Sequence, residues 1–481
     1  MTGRSGPTIS PTDLAAVLGA LEPGRQPLYR ELGEALRDRV ADGSIPVGIR
    51  LPAERALAKE LRLSRVTVGA AYRELRGAGW AVAKHGSGTY ATMPPGLPVW
   101  GAMMRSPMDG VIDLVNAAPS AAPELGEVYV DAIDELSRFM PQHGYHPGGL
   151  GALRAAIADH YARRGRPTTP EQILVTAGAG DATEVVLEAL LEAGDRVLVE
   201  HPTYPGAVES VRAAGGRPVP VAIDPADPDA FVAAVDRAAR QSAPTAAFVM
   251  PDFSNPSGAR ATADGRRRLA ATLWRHGMVT LVDEVSAQLV LDGSGDLEPF
   301  GVPVPESATV AIGSLSKTVW GGIRIGWVRT EASRTAQLAK IMARRQLSVS
   351  VLDQLAAVRL FARYDNVVAQ RRRELLLQRD TLARDVETKL PGWSFTLPAG
   401  GLSLWCRLPP GVGSAELVAS ARSRNLLLAP GSRFGTGHLF DDHQRLPFTR
   451  PSTELTAAVD ILAALRCSAD GTSPLAPTLV V

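Results

Sequence analysis

Residues 313–327 read GSLSKTVWGGIRIGW and close the apolar run ATVAIGS (308–314). A β-branched run that ends in small and hydroxyl residues reads as a strand stopping at a turn. In that turn Lys317 is flanked by Ser316 and Thr318 and precedes Arg324 by seven residues. The spacing has a chemical rationale. A primary amine forms a Schiff base with an aldehyde, while hydroxyls and a guanidinium grip a phosphate. Only five lysines occur, Lys59, Lys84, Lys317, Lys340 and Lys389, so amine chemistry has few candidates. Lys59 and Lys84 fall in a basic N-terminal stretch, and Lys340 and Lys389 sit on polar helical stretches. Lys317 alone follows a strand among residues suited to a phosphate.

Outward from this turn, ILVTAG (173–178), RVLVEHP (196–202), TAAFVMPD (245–252), MVTLVDE (278–284) and IRIGWV (323–328) also read as strands. Helical stretches such as Asp181–Glu192 and Thr262–His276 lie between them. Such alternation predicts an α/β domain with a mostly parallel sheet over about Asp113–Arg466. The first of these strands runs into Gly178, Ala179 and Gly180, a small-residue turn opening a helix whose free amides suit phosphate oxygens. Asp283 ends another strand, where a buried acid needs a cationic partner such as a pyridinium nitrogen. Asn255, in SNPSG (254–258), offers an amide to a cofactor hydroxyl, although an ordinary turn asparagine has the same surroundings.

These segments, in this order, resemble the fold-type I pyridoxal-phosphate aminotransferases. The resemblance implies pyridoxal 5'-phosphate as cofactor, with Lys317 forming the internal aldimine and Asp283 pairing with the pyridine nitrogen. It implies that Asn255 and Tyr204, the latter in EHPTYPG (200–206), contact the 3-hydroxyl and the ring face. Gly178, Ala179, Gly180, Ser314 and Arg324 would hold the phosphate, and Tyr145, in GYHP (144–147), would reach it from the other subunit of a dimer. Arg445 best fits the arginine that grips a substrate carboxylate, with Arg433 and Arg450 as competitors. One position departs from the pattern: three residues after Asp283 the family carries a tyrosine and this chain Ser286. A serine is too short to replace a phenol, which puts transaminase turnover in doubt but not cofactor binding.

The remainder of the chain has a different character. Across 481 residues the charge nearly cancels, with 51 Lys and Arg against 50 Asp and Glu, but residues 1–92 alone carry a net +4. Leu28, Leu32, Leu36 and Val40 are spaced for an amphipathic helix. In LPAERALAKELRLSRVTVGAAYREL (51–75) two helices meet at a short turn, with Ser64 as N-cap of the second. Short strands around KHGS (84–87) complete a hairpin wing. This stretch resembles the winged helix-turn-helix of GntR-type bacterial regulators. The resemblance implies that Arg55, Ser64, Arg65, Thr67 and the wing glycines Gly86 and Gly88 approach double-stranded DNA, arginines meeting phosphates or guanine edges.

The expected organisation is therefore an extension (1–26), a winged helix (27–91), a linker rich in Pro, Gly and Met (92–112), an aminotransferase-like domain (113–466) with a smaller C-terminal α+β subdomain, and a tail (467–481). A winged helix fused to an aminotransferase-like domain is the arrangement of the MocR subfamily. It implies a homodimeric regulator whose effector is an amino compound or the cofactor itself, acting at Lys317. A working aminotransferase with an appended domain is the alternative, and a DNA-binding protein with an inert scaffold is a third reading that the lysine and phosphate residues oppose. Two cysteines, Cys406 and Cys467, make neither a disulfide framework nor a metal cluster. The absence of a signal-like N-terminus and of long apolar runs predicts a soluble cytoplasmic protein with no membrane partner.

Overall fold

The computed structural model describes residues 8–19, 27–41, 45, 49–84, 88–92, 110–293, 298–302, 304–422, 424–435 and 439–469. Two compact units divide the chain, Met1–Val111 with Ala415–Asn425, and Ile112–Ser414 with Leu426–Val481. In the first, α1 (Pro11–Leu18), α2 (Leu28–Ala41), α3 (Glu54–Glu60) and α4 (Arg65–Gly77) precede a hairpin of β1 (Ala81–Lys84) and β2 (Gly88–Ala91). Ser64 caps α4 as its chemistry predicts, Oγ accepting the Thr67 amide at 3.0 Å. The four-residue spacing of α2 buries Leu32, Leu36 and Val40 against Val68, Tyr72 and Leu75 of α4. Leu28, the first residue of α2, stays at the surface. Tyr72 can be buried because its hydroxyl donates to the Pro52 carbonyl at 3.0 Å.

Helix α1 lies where the sequence predicts only an extension. Its start is well specified: Ser10 Oγ accepts the Asp13 amide, and Pro11 occupies the first turn. Leu14 and Leu18 then enter the same core as α2 and α4. Eight residues with two buried leucines give too short a periodicity to read without the partner surface.

The second unit opens with β3 (Ile112–Leu114), α5 (Leu125–Leu136) and α6 (Gly151–Arg163), and then builds a seven-stranded sheet. Its strands are β4 (Ile173–Thr176), β5 (Arg196–His201), β6 (Arg217–Ala222), β7 (Ala246–Val249), β8 (Val279–Asp283), β9 (Thr309–Ser314) and β10 (Gly326–Arg329), with α7 (Ala179–Leu190) following β4. The spatial order is β4-β10-β9-β8-β7-β5-β6. Neighbours from β9 to β6 pair in parallel, and β10 alone runs against both β9 and β4. Strands β4, β7 and β9 are buried along their whole length, which explains why they read as unbroken apolar runs.

One strand was not legible in the sequence, and another starts later than its apolar run. The segment RPVPVA forms β6 because it lies at the sheet edge, where Pro218 and Pro220 can turn their missing N–H away from β5. The run IRIGWV begins pairing only at Gly326, since Arg324 is left-handed (φ 53°) and ends the preceding turn. Beyond the sheet, β11 (Ser403–Arg407) pairs antiparallel with β13 (His443–Pro447), and β12 (Leu426–Leu428) pairs in parallel with β3. The last helix, Ser452–Ala469, continues past residue 466, where the sequence suggests an irregular tail.

Leu14→Ala is expected to cost the first unit about 2–5 kcal/mol. The check is amide hydrogen exchange, which should quicken across α2 and α4 while the second unit is unaffected.

Candidate functional site

The turn between β9 and β10 carries Lys317, and its neighbours fix it firmly. Ser314 Oγ donates to the Ile325 carbonyl at 3.0 Å and accepts the Ser316 amide at 3.1 Å, tying the two ends of the turn together. Thr318 is fully buried with its hydroxyl 3.1 Å from that of Tyr364. Lys317 Nζ donates to the Ala117 carbonyl at 2.9 Å. Burial first, then Arg445, pushes the Lys317 amine down to about 8, with Asp283 acting in the opposite sense.

Because β10 runs against β4, Arg324 returns to the start of α7. Its Nη2 donates to the Ala177 carbonyl. Gly178 has φ 95°, and a Cβ there would meet Arg324 Nη2 at 2.8 Å. Gly326 is equally constrained, since a Cβ on it would lie 2.4 Å from the Gly178 carbonyl carbon. The result is a cradle in which the start of α7, at Ala179 and Gly180, lies beside the Arg324 guanidinium, with Ser314 across from Gly326 at the end of β9. That donor set suits an anion of phosphate size at the positive end of a helix.

Asp283 ends β8, and its Oδ1 accepts the Val285 amide at 2.9 Å. Burial raises its carboxyl to about 6 against the lowering by that amide and by Lys317. Two strands further, beyond β7, Glu200 ends an apolar run in β5 and is 1% exposed. It accepts the Met250 amide at 2.6 Å and the Ser254 hydroxyl at 2.5 Å, and burial drives it to about 7, Asp283 adding to the rise. Sequence reading missed Glu200, although a carboxylate at the end of an apolar strand is the signal that singled out Asp283.

Asn255 follows Ser254, and its Oδ1 accepts from Arg445 Nη1 at 3.2 Å. Arg445 is 5% exposed on β13, with Nη2 donating to the Val115 carbonyl and the Phe434 ring 4.6 Å from the guanidinium carbon. Its Nε is buried without a partner. Desolvation and then Arg433 lower its pKa to about 9. Of the two competitors, Arg450 pairs with Glu454 at 2.8 Å on the C-terminal helix. Arg433 is near Tyr204 and Glu209, and burial lowers its pKa. Tyr204 caps helix Pro205–Ala213 with its ring across Gly206, and desolvation followed by Asp283 raises its hydroxyl. Lys317, Asp283, Asn255, Arg324, Arg445 and Tyr204 thus come together. Tyr145 does not join them: it is 51% exposed, stacked on His143 at 5.6 Å. Ser286, half-buried in the turn after β8, brings no phenol to the site.

In the first unit, Arg55, Ser64 and Arg65 are exposed and Thr67 is half-buried, its hydroxyl 2.8 Å from Ser64 Oγ. Arg65 Nε lies 3.6 Å from Glu54. Gly88 has φ 108°, and a Cβ on it would strike Arg50 Nε at 2.8 Å, so the wing strand itself needs this glycine. Gly86 lies outside the described residues. Among the described residues, no group of acidic, His and Cys side chains could hold a metal ion, and no helix is long and apolar enough to cross a membrane.

Comparison with known proteins agrees with both halves of this geometry. Residues 115–462 match the model for aminotransferase class I and II, and residues 28–91 that for bacterial regulatory proteins of the gntR family. The chain belongs to the aminotransferase class I and II family and carries a GntR-family helix-turn-helix domain at its N-terminus, the combination of MocR-type regulators. It is 29% identical to YdcR of Escherichia coli, an uncharacterized HTH-type transcriptional regulator, over 85% of this chain and 92% of the relative. It is 28% identical to PdxR of Corynebacterium glutamicum, an HTH-type pyridoxine biosynthesis transcriptional regulator, over 88% and 92%. Among solved structures, the α-aminoadipate aminotransferase of Thermus thermophilus, complexed with N-(5'-phosphopyridoxyl)-L-leucine, aligns with TM-score 0.68 at 24% identity, over 75% and 93% of the two chains. Family membership implies pyridoxal 5'-phosphate as the cofactor, and the GntR domain implies DNA binding.

The raised carboxyls set a pH dependence in cofactor-free protein. Asp283 and Glu200 hold protons in the folded state up to about 6 and about 7, against 3.8 and 4.5 when unperturbed. Their contribution is full below the unperturbed values and is lost as pH rises through the folded ones. Thermal melting of cofactor-free protein should therefore show Tm falling between pH 5 and 8, with a smaller fall in Glu200→Gln. An equal fall in that variant would refute the assignment of Glu200.

Proposed function

We propose that this protein is a cytoplasmic, homodimeric transcription regulator that binds operator DNA through its winged helix and takes an amino compound, or the cofactor itself, at Lys317. The observation carrying the reading is the convergence of Lys317, Asp283 and Arg324 on the Gly178–Gly180 cradle, in a chain that also exposes Arg55, Ser64 and Arg65 on a winged helix. The residues fit the cofactor. Gly178 and Gly326 keep the cradle free of the Cβ atoms that would crowd Arg324 and the turn, its donors are those of a phosphate site, and Asp283 offers a carboxyl to a ring nitrogen.

Bound there, pyridoxal phosphate supplies an aldehyde that exchanges amines reversibly and a ring that withdraws electrons. The protein's part is to hold and tune. Arg324, Ser314 and the α7 amides take the phosphate, and Asp283 keeps a proton on the ring nitrogen. Asn255 holds the ring hydroxyl from one side, and Tyr204 covers a ring face. The lowered pKa of Lys317 leaves about a tenth of its amine unprotonated and nucleophilic at pH 7, some hundreds of times more than an ordinary lysine. Arg445, buried and with one N–H unanswered, is matched to an effector carboxylate. For the effector to change DNA occupancy, it must bind two arrangements of the protein unequally.

Dimerisation is supported by an apolar surface: Val130 and Ile133 on α5 and Met140 beyond it are 63%, 56% and 75% exposed. Tyr145, five residues beyond Met140 and exposed, is by the family resemblance the residue that would reach the phosphate of a second copy. Turnover as a transaminase is the second reading. The lysine, aspartate and arginine set favours it, and Ser286 opposes it, because no phenol shares the proton of the cofactor hydroxyl.

Purified protein should show the near-visible absorbance of lysine-bound pyridoxal phosphate and shift DNA from its own upstream region. Lys317→Ala should lose the absorbance and the response to amino compounds while still binding DNA. Absorbance unchanged by that substitution would end the cofactor assignment, failure to bind DNA the regulator reading. Multiple-turnover release of a keto acid would establish the enzyme instead. Arg445→Lys should weaken the spectral response to amino acids tenfold or more, since a lysine cannot form the bidentate pair, and leave the response to simple amines intact.

A further inference from the structure

Val66 is 77% exposed, the highest value for any large apolar side chain among the described residues. It is also the one such side chain on α4, whose other large apolar residues, Val68, Tyr72 and Leu75, are buried. A lone exposed valine is ordinary on most surfaces. This one is the second residue of the helix that a helix-turn-helix lays in the major groove by its N-terminal turn. Arg65 precedes it, 74% exposed and steadied at Nε by Glu54 at 3.6 Å, and Thr67 follows, its hydroxyl turned to Ser64.

We propose that Val66 reads sequence, its two methyls packing on the 5-methyl of a thymine beside the base pair that Arg65 approaches. The inference rests on the DNA-binding reading above and adds to it which base is read. A side chain with neither donor nor acceptor has one match among the major-groove edges, because thymine alone presents a methyl there. Burying that methyl removes apolar surface from water on both partners. Arg65 beside it suits guanine O6 and N7, so the bound half-site should place a G·C pair next to an A·T pair.

The test needs no prior operator. Duplexes are selected from a randomised library with the full-length protein, and each thymine of the selected sequence is then replaced singly by deoxyuridine, which removes only the methyl. At one position in each half-site the replacement should weaken wild-type binding about fourfold, and Val66→Ala should bind the dT and dU duplexes alike. Because Val66 is exposed, the variant should melt with the wild type, so its affinities report contact and not folding. The inference is overturned if no thymine is methyl-sensitive, or if Val66→Ala is as sensitive as the wild type. Selection of no sequence at all would instead refute the DNA-binding reading on which it rests.

Discussion

The second unit turns on one reversal of chain direction. Had β10 continued parallel to β9, it would have needed a long crossover, and the residues after Lys317 would have left the site. Running back instead, β10 slots between β9 and β4, so that an eleven-residue connection (315–325) carries the lysine out and the arginine home. The tight passage of Gly326 past Gly178 makes this possible, since a methylene at either glycine would force the strands or the guanidinium apart. The amine, the phosphate donors and the helix amides are therefore held by one piece of backbone geometry.

Charge organisation follows from that geometry. The pocket gathers Lys317, Arg324, Arg433 and Arg445 with Asp283 and Glu200 behind them, and burial weakens the ionisation of groups of both signs. A site so poised exchanges protons with little change in pH and gains most from a ligand that brings opposite charges on one frame. A ring nitrogen for the aspartate and a carboxylate for Arg445 each relieve a separate desolvation cost, while a phosphate meets the exposed guanidinium of Arg324.

Much of this was legible in the chain itself. The buried strands stood out because β-branched runs broke at Gly, Asp and Ser, and Lys317, Asp283 and Asn255 were conspicuous as polar groups at the ends of such runs. What escaped was whatever depended on a partner surface. Glu200 gains meaning only beside Met250 and Ser254, and Gly326 only beside Gly178. Helix α1 is too short to announce itself without the leucines of α2. The edge strand β6 was hidden by its prolines, which count against a strand anywhere except at a margin. Tyr145 shows the converse case: its motif is readable, while one protomer gives it no site to enter.

The prolines of β6 also constrain how copies of the protein meet. The sheet's outer margin at β6 lacks the amides of Pro218 and Pro220, so it offers no continuous ladder to an incoming strand. Copies cannot join by extending the sheet there, and the same margin resists templated growth into fibrils. Along this margin contact is left to side chains and not to backbone, so the edge recruits no stranger by strand pairing.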